Sequence, residues 1–271
     1  GNRRGAQMLT ISDWHGDVFY TNDPTHPDYN EDFIGAKRKV GFMEGNNSSV
    51  LVSDKFMYAV ENDLDWTLKH PNTNHPNYDS DWDGDIDKWI HNFGAYEDAL
   101  TMVRTVRAVD MWNKLQEANH SSAEPGIIYI DRVNHEANRH IYSKRIKATN
   151  PCGEQPIDQN STCNLSAVNF GRMLKVVGDD EFGNLYEIDW DLLQETIRTG
   201  VRFLDNVIDA SFYFDETMKD WQQGERRVGL GGLGVADMFI ALRVRYGSDE
   251  GNEIFDKLMA FLRDESYIMS I

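Results

Sequence analysis

Residues 150–156 read Asn-Pro-Cys-Gly-Glu-Gln-Pro, and this short stretch is the most informative part of the chain. An amide, a thiol and a carboxylate occupy alternate positions, at Asn150, Cys152 and Glu154. In an extended or looped segment alternate side chains share a face, so the three groups are expected to converge on one small substrate. A lone cysteine is also commonly a buried structural residue, and the spacing alone leaves both interpretations open.

The residue types favour radical rather than thiolate chemistry. The negative charge of Glu154 disfavours a thiolate at Cys152. A neutral thiol that becomes a thiyl radical suits this setting, with Glu154 as general base on a substrate hydroxyl. Asn150 would hold that hydroxyl through its amide donor and acceptor.

Composition excludes several classes of protein. The 271 residues include 27 Lys+Arg and 45 Asp+Glu, a formal net charge of −18, so an acidic surface would repel nucleic acid. Hydrophobic residues make up 40%, enough for a core, and no apolar run is long enough to span a membrane. Two cysteines exclude a disulfide scaffold. We expect a cytoplasmic globular protein of one large domain or two smaller ones.

Strand-like and helical patterns alternate along the chain. Strands are predicted at 8–12, 49–53, 127–130 and 163–168, and helices at 95–118, 192–208 and 248–271. Residues 70–94 are rich in Asp, Asn, Pro and Gly and are predicted to form an acidic loop. This alternation predicts an α/β fold with mostly parallel strands.

Both ends of the sequence suggest a segment of a longer chain. The first residue is Gly1 rather than an initiator Met, and the helical pattern that reaches Ile271 has no terminating Gly, Asn or Pro. We therefore expect an internal fragment, truncated at both ends.

A glycine-rich run imitates a dinucleotide-binding loop. Residues 229–234 (GLGGLG) fit the pattern G-x-G-x-x-G, and Asp249 follows at the distance of a ribose-binding acid. The preceding residues, GERRV, do not form the buried strand that such a loop follows. Glycines that allow close packing of a helix against a strand are the preferred interpretation.

Metal-binding signals are weak. Asp79, Asp81 and Asp83, with Gly84, match the front of a calcium loop, but position 12 is Ile90 instead of the closing Glu, which leaves a solvated acidic loop as the better interpretation. The eight histidines show no H-E-x-x-H spacing, and no C-x-x-C motif occurs, so no catalytic metal is assigned to the protein.

Residues 150–156 (NPCGEQP) and 163–169 (CNLSAVN) closely resemble the catalytic segment of ribonucleotide reductases. Residues 1–8 (GNRRGAQM) resemble the family's specificity loop and the strand after it. Residues 124–134 (EPGIIYIDRVN) and 226–238 (RRVGLGGLGVADM) are similar to later family blocks. The resemblance covers nearly the whole chain except the acidic segment at 70–94.

The resemblance implies a ten-stranded α/β barrel whose central finger loop carries the radical cysteine. Residues 1–271 would form the central part of this barrel, with 70–94 as an acidic loop insertion. The implied activity is the reduction of ribonucleotides to 2′-deoxyribonucleotides for DNA precursor synthesis.

The resemblance also implies a role for each matched residue. Cys152 would be the thiyl radical that abstracts the ribose 3′-hydrogen, Glu154 would accept the 3′-hydroxyl proton, and Asn150 would hydrogen-bond the substrate hydroxyls. Cys163 would be half of the dithiol that reduces the 2′-carbon, and its disulfide would be transient. In the specificity loop, Arg3, Arg4 and Gln7 would link the effector to substrate choice, or else would be solvent-facing residues at a frayed end.

A cofactor must supply the first radical, because ordinary side chains cannot generate one. The short interval between the two cysteines and the residues around them resemble the adenosylcobalamin-dependent class. The alternative is the class whose radical comes from a separate metal-containing subunit. No cobalamin-binding motif is recognisable in the sequence.

The resemblance further implies a ribonucleotide substrate, dNTP or ATP effectors, a thioredoxin-type reductant and a homodimer as partners. The family also uses an upstream cysteine as the partner of Cys163, a downstream phosphate-binding loop and a C-terminal cysteine pair. None of these is among the present residues, so we expect the chain alone to have no catalytic activity. Nucleotide binding would need a local basic patch, for which Arg226 and Arg227 are candidates, although exposed arginines at a strand entrance are equally plausible. A nucleotide-binding paralogue that has lost its chemistry is a further alternative.

Overall fold

The computed structural model describes residues 7–39, 45–94, 99–137, 145–157 and 161–271. The chain divides into two compact units, unit 1 (Gly1–Gln159) and unit 2 (Asn160–Ile271). None of the helices within the described ranges is long and apolar enough to cross a membrane.

Unit 1 alternates short strands and helices. Its strands are β1 (Gln7–Ser12), β2 (Asn46–Val52), β3 (Asp65–Pro71), β4 (Leu100–Arg107), β5 (Gly126–Tyr129), β6 (Ala148–Thr149) and β7 (Pro156–Ile157). Its helices are α1 (Phe33–Ala36), α2 (Asp54–Glu61), α3 (Tyr78–Asp81), α4 (Ile86–Phe93), α5 (Ala108–Ser122) and α6 (Ile130–Glu136).

A parallel sheet in the order β1-β2-β5 organises unit 1. Its middle strand, β2, is buried from Ser48 to Val52, as expected of a parallel strand covered on both faces. Val50 and Val52 pack with Phe56 of α2 and Met111 of α5 in one core cluster. The strands predicted at 8–12, 49–53 and 127–130 are confirmed, with ends that differ by one to three residues.

The helix predicted over 95–118 is wrong in its first half. Residues Leu100–Arg107 form β4, which pairs antiparallel with β3, and α5 begins only at Ala108. The sequence LTMVRTVR is rich in β-branched Val and Thr, which favour strands, while its apolar spacing also fits a helix. Pairing with β3, which periodicity cannot reveal, makes this segment a strand.

The prediction of a loop at 70–94 is wrong for α3 and for the longer α4. Asp85 caps this helix by accepting the Lys88 N–H at 3.1 Å. Trp89 is buried, and its indole N–H donates to the Ala99 carbonyl at 2.7 Å. Apolar residues at 86, 89, 90 and 93 form one helical face, which the surrounding aspartates obscure in the sequence.

A buried ion pair holds the segment after β1 against α5. Lys114 Nζ lies 2.5 Å from Asp32 Oδ2, and neither side chain is more than 1% exposed. The Asp32 carboxylate also accepts the backbone N–H groups of Tyr20 and Gly35. Lys114 Nζ also donates to the Tyr29 carbonyl, so each charge has more than one hydrogen-bond partner, which helps the protein to tolerate buried charges.

Unit 2 contains longer helices. Its strands are β8 (Asn164–Asn169), β9 (Leu174–Asp180), β10 (Gly183–Ile188) and β11 (Val228–Leu233). Its helices are α7 (Trp190–Ala210), α8 (Glu216–Glu225), α9 (Val235–Leu242) and α10 (Asp249–Ser270), and a 3-10 turn spans Phe170–Arg172.

The predicted helical patterns of unit 2 are confirmed. Helix α7 buries one stripe of five apolar residues: Leu193, Ile197, Val201, Leu204 and Ile208. Helix α10 packs against α7 through Leu258 and Leu262, and its N-cap is Ser248. The predicted strand at 163–168 is confirmed as β8, which pairs in parallel with β11.

The glycine-rich run lies within strand β11 and not in a phosphate-binding turn. A Cβ at Gly232 would overlap the buried ring of Phe170, so glycine is required for this contact. Gly234, at φ +75°, then caps α9 in the left-handed region. The close-packing interpretation is confirmed.

The fold is α/β, but the expectation of mostly parallel strands is wrong for the part of the chain that is described. Three strand pairs are parallel, namely β1-β2, β2-β5 and β8-β11. Three are antiparallel, namely β3-β4, β6-β7 and β9-β10. Across the described residues the strands form one three-stranded sheet and four two-stranded sheets, none of them closed.

Asp13 connects the elements of the parallel sheet. It follows β1 and is 1% exposed, and its carboxylate accepts the Ser53 N–H at 2.6 Å and the Ser53 hydroxyl at 2.7 Å. Its backbone carbonyl accepts the indole N–H of Trp66 on β3 at 3.0 Å. Burial raises the pKa of Asp13 from 3.8 to about 6, although the Ser53 hydrogen bonds lower it.

We predict that Asp13 makes the folded state less stable as the pH rises from about 4 to about 6. Its pKa is higher in the folded than in the unfolded state, so the folded state binds more protons in this interval. Asp13→Asn mimics the neutral acid and should remove this slope, which amounts to about 2 kcal/mol between pH 4 and 7. Urea unfolding at several pH values measures it.

The exposed carboxylate of Asp28 provides the control, and Asp28→Asn should keep the wild-type slope. A difference in unfolding free energy between wild type and Asp13→Asn that stays constant from pH 4 to 7 would contradict the prediction.

Candidate active site

The predicted reactive stretch forms a tight turn between β6 and β7. Ala148 pairs with Ile157 and Thr149 with Pro156, which closes the base of the turn. The Asn150 N–H donates to the Gln155 carbonyl at 3.1 Å, and the Gly153 N–H donates to the Asn150 carbonyl at 3.0 Å. Gly153 has φ +82°, where a side chain would be strained.

Asn150 helps to hold the turn together. Its side-chain oxygen accepts the Gln155 N–H at 2.9 Å, and the residue is half-buried. An amide oxygen has two lone pairs, so one lone pair and the NH₂ group remain for a substrate. Asn150 therefore has a structural role in the turn, in addition to the hydroxyl-binding role predicted from the sequence.

Cys152 and Glu154 lie on the outer part of the turn, and both are exposed. The turn thus brings an amide, a thiol and a carboxylate together within five residues and presents the last two to solvent. The alternative of a buried structural cysteine at residue 152 is wrong. A free, exposed thiol can meet a radical donor and a substrate, as the predicted chemistry requires.

Cys163 belongs to unit 2 and comes immediately before β8. It is half-buried, and its Sγ lies 3.7 Å from the Asn164 carbonyl oxygen. Asn164 is anchored on α7, because its side-chain N–H donates to the Leu204 carbonyl at 2.7 Å. Since the two cysteines belong to different units, their joint action stays a prediction.

The residues matched to the specificity loop are only partly described. Arg3 and Arg4 lie outside the described residues. Gln7 is the exposed first residue of β1 and pairs with Asn46 of β2. Its predicted role in substrate choice remains a prediction.

The described residues give the weak calcium candidate no support, and it stays a prediction. Among the described residues, Asp79, Asp81 and Asp83 do not bring their carboxylate oxygens together. Asp79 and Asp81 lie in the turn of α3, where residues two apart point in different directions. Asp83 instead pairs with Lys88 at 2.7 Å.

The arginines proposed as a basic patch are already paired. Arg226 donates to Asp205 at 2.8 Å and to Asp209 at 2.9 and 3.0 Å, and these hydrogen bonds hold its pKa above the ordinary value. Arg227 lies 3.5 Å from Glu225. Their charges are therefore offset locally, and the prediction of a free cationic patch is wrong for these two residues.

Sequence reasoning missed a cavity of about 470 Å³ beside the ends of the parallel strands in unit 1. Ser12, Asp13, Ser53 and Asp131 line it, together with Arg145, which lies 2.5 Å from Asp131. Carboxyl ends of parallel strands commonly carry binding sites. An acidic residue directly after a strand, as at Asp13, is the sequence signal that could have indicated it.

Comparisons with known proteins agree with the motif. The family model described as "Ribonucleotide reductase, barrel domain" matches residues 1–271. The chain is 32% identical over 267 residues to the "Vitamin B12-dependent ribonucleoside-diphosphate reductase" of Thermoplasma acidophilum, which covers 98% of this chain and 29% of that protein. Identity to the protein of the same name from Mycobacterium tuberculosis is 31% over 271 residues, covering 100% of this chain and 32% of that relative.

A "Ribonucleoside-diphosphate reductase large subunit" of Danio rerio is 27% identical over 259 residues, covering 92% of this chain and 30% of that relative. The chain belongs to the ribonucleotide reductase barrel-domain family, and the resemblance seen in its motifs is confirmed. It spans about a third of the length of these relatives.

We predict that Asn150→Ala loosens the Cys152 turn. The Gln155 N–H would lose its side-chain acceptor, and loss of one such bond costs about 1 kcal/mol, so its hydrogen exchange should accelerate about fivefold to tenfold. Hydrogen exchange followed by NMR measures this amide directly.

Asn150→Asp is the matched control, because a carboxylate oxygen still accepts the Gln155 N–H and should preserve slow exchange. Equal exchange rates in wild type and Asn150→Ala would show that the side chain does not hold the turn.

Proposed function

We propose that this chain is the catalytic barrel region of an enzyme that reduces ribonucleotides to 2′-deoxyribonucleotides by a thiyl-radical mechanism. The observation that supports it most is the exposed thiol of Cys152 on a turn with Asn150 and Glu154, in a chain of the ribonucleotide reductase barrel family. The overall reaction converts a ribonucleotide and a dithiol into a deoxyribonucleotide, a disulfide and water.

In this proposal each side chain of the turn has a separate task. Cys152 as a thiyl radical takes the 3′-hydrogen and returns it at the end, so it is unchanged over the cycle. Glu154 accepts the 3′-hydroxyl proton while the 2′-hydroxyl leaves as water. The NH₂ group of Asn150 orients the hydroxyls, and fixing reactants in this way accounts for much of an enzyme's rate.

The reducing electrons come from a dithiol that includes Cys163. Its position before β8, fixed by the Asn164 contact with α7, suits a thiol that must meet the substrate at a defined place. In the proposal Cys163 ends the cycle in a disulfide, and a thioredoxin-type protein reduces it again.

In the finer fold proposal, the parallel ladders β1-β2-β5 and β8-β11 are parts of a ten-stranded α/β barrel, and the Cys152 turn is its central finger loop. The alternation of strands and helices and the family match support this arrangement. Residues 1–271 would then be the central part of one barrel, and residues 70–94 an acidic insertion.

For the radical source we propose adenosylcobalamin, and relatives whose names state vitamin B12 dependence support this choice. When bound, this cofactor supplies a carbon-centred radical. The exposure of Cys152 fits hydrogen removal by a donor from outside the turn. No described residue is assigned to hold the corrin ring.

The proposed partners are a ribonucleotide substrate, dNTP or ATP effectors, the reductant, the remaining parts of the enzyme and a second copy of the chain. Arg3, Arg4 and Gln7 would connect the effector to substrate choice. The working compartment would be the cytoplasm, where thiols are kept reduced.

A large subunit whose radical comes from a separate metal-containing subunit is the second candidate. Relatives named as large subunits, such as that of Danio rerio, favour it, but at 27% identity against 31–32% for the B12-dependent relatives. A nucleotide-binding paralogue without chemistry would have no need of the exposed Cys152 thiol.

We predict that Cys152→Ser lowers the rate of deoxynucleotide formation by the complete protein at least about a thousandfold, because a serine hydroxyl does not form the radical. Nucleotide binding should persist within about twofold, because the thiol contributes little binding area. Product analysis and equilibrium binding measure the two effects.

Cys163→Ser is the matched comparison, and it should stop reduction without preventing radical formation. Adenosylcobalamin added to the complete protein should suffice for activity without a second subunit. Full activity of Cys152→Ser would contradict the mechanism, while strict dependence on a second subunit would contradict only the cofactor assignment.

A further inference from the structure

Two imidazoles and one carboxylate meet where β1 and β3 end, outside the Cys152 turn. His15 and Asp17 follow β1, and His70 is the next-to-last residue of β3. One ligand atom from each lies within 4.8 Å of the others. His70 Nε2 is 3.6 Å from Asp17 Oδ1, and His15 Nδ1 is 3.9 Å from Asp17 Oδ2.

The backbone fixes this arrangement. The Lys69 N–H donates to the Trp14 carbonyl at 2.7 Å, and the Gly16 N–H donates to the Lys69 carbonyl at 3.1 Å. These two hydrogen bonds place the segment carrying His15 alongside the strand carrying His70. The two rings are 4.7 Å apart between centroids.

His70 has a buried nitrogen that is not satisfied. Its Nε2 atom is inaccessible to solvent, and no described residue forms a hydrogen bond with it. Leaving a buried polar atom without a partner costs free energy, and a bound metal ion would give this nitrogen a partner. The Asp17 carboxylate lies 3.6 Å from this nitrogen, just beyond hydrogen-bond distance.

The other two groups are in the right state to bind a cation. His15 Nδ1 accepts the Asp17 N–H at 3.2 Å and so carries a lone pair there. The Tyr20 hydroxyl donates to Asp17 Oδ1 at 3.1 Å and orients the carboxylate, as supporting groups do in metal sites.

We propose that His15, Asp17 and His70 bind a divalent transition-metal ion of the zinc type. Zinc bonds to nitrogen and oxygen of about 2.0–2.2 Å separate tetrahedral ligands by about 3.3 Å. The two distances to Asp17, 3.6 and 3.9 Å, must therefore shorten by about half an ångström, and no ligand pair, all within 4.8 Å, by more than about 1.5 Å. Imidazole nitrogens select zinc-like ions over calcium or magnesium. Three protein ligands leave one position for water.

The site would tie the end of β1 to the end of β3, where the acidic segment begins. Its affinity is expected to be moderate. The Arg104 guanidinium, which donates to the Gly16 carbonyl at 3.3 Å, places a positive charge nearby. The metal must also displace the hydrogen bond between Asp17 and His15. A Kd in the micromolar range is expected for such an open three-ligand site.

The experiment titrates the metal-free full chain with Co²⁺ and Zn²⁺. Co²⁺ is followed by its visible absorption and Zn²⁺ by competition with a chromophoric chelator. Wild type should bind about one equivalent, and His15→Ala and His70→Ala should each weaken binding at least about tenfold.

His26→Ala is the matched control. His26 and Asp28 repeat the local geometry of His15 and Asp17: Nδ1 and Oδ2 are 3.9 Å apart, and the Asp28 N–H donates to His26 Nδ1 at 3.1 Å. Within the described residues, however, no second histidine joins them. This variant should bind like wild type. No stoichiometric binding by wild type at 100 µM metal (about a hundredfold above the expected Kd), or an equal loss in His26→Ala and His70→Ala, would overturn the proposal.

X-ray absorption at the zinc edge tests the proposal on the wild-type complex alone, so the result does not depend on whether the variants fold. Two imidazole ligands at about 2.0–2.1 Å support the site. Fewer than two would overturn it.

Discussion

The buried carboxylate of Asp13 is the contact on which unit 1 depends. A carboxylate that is 1% exposed needs hydrogen-bond donors, and Asp13 Oδ2 accepts both the N–H and the hydroxyl of Ser53 at the start of α2. Its backbone bonds to Leu51 and to the Trp66 indole extend the link to β2 and β3. The position of β1 against its neighbours follows, and so does the cavity at their ends. The segment immediately after Asp13 carries His15 and is held further along by the buried Asp32–Lys114 pair.

The candidate active site follows a different rule, since it is a turn rather than a core feature. Cys152 and Glu154 are exposed because the turn between two two-residue strands is too short to bury them. Its shape comes from local bonds, chiefly the Asn150 side chain to the Gln155 N–H and the left-handed Gly153. A reactive group on a loop that a rigid framework positions is a common functional design. The framework fixes where the loop begins and ends, and the loop determines which groups face the substrate.

Local signals made part of this structure predictable. The turn with Asn150, Cys152 and Glu154 lies within one heptapeptide, and the stripe of α7 repeats at helical spacing, so both could be recognised in the sequence. The strand Leu100–Arg107 was mistaken for helix because only its partner β3 determines its state. Helix α4 was hidden by aspartates that face solvent while Trp89 faces the core. The grouping of His15 with His70 depends on tertiary pairing of distant segments, which no spacing rule can reveal.

The most direct test of the roles assigned to the two cysteines is their redox state after a single turnover. The complete, pre-reduced protein would be given one equivalent of ribonucleotide and the radical source without external reductant, then alkylated and mapped by mass spectrometry. The account predicts that Cys163 is found in a disulfide and Cys152 as a free thiol, with deoxynucleotide formed in proportion. Deoxynucleotide formation with Cys163 still free, or with Cys152 in the disulfide, would contradict it.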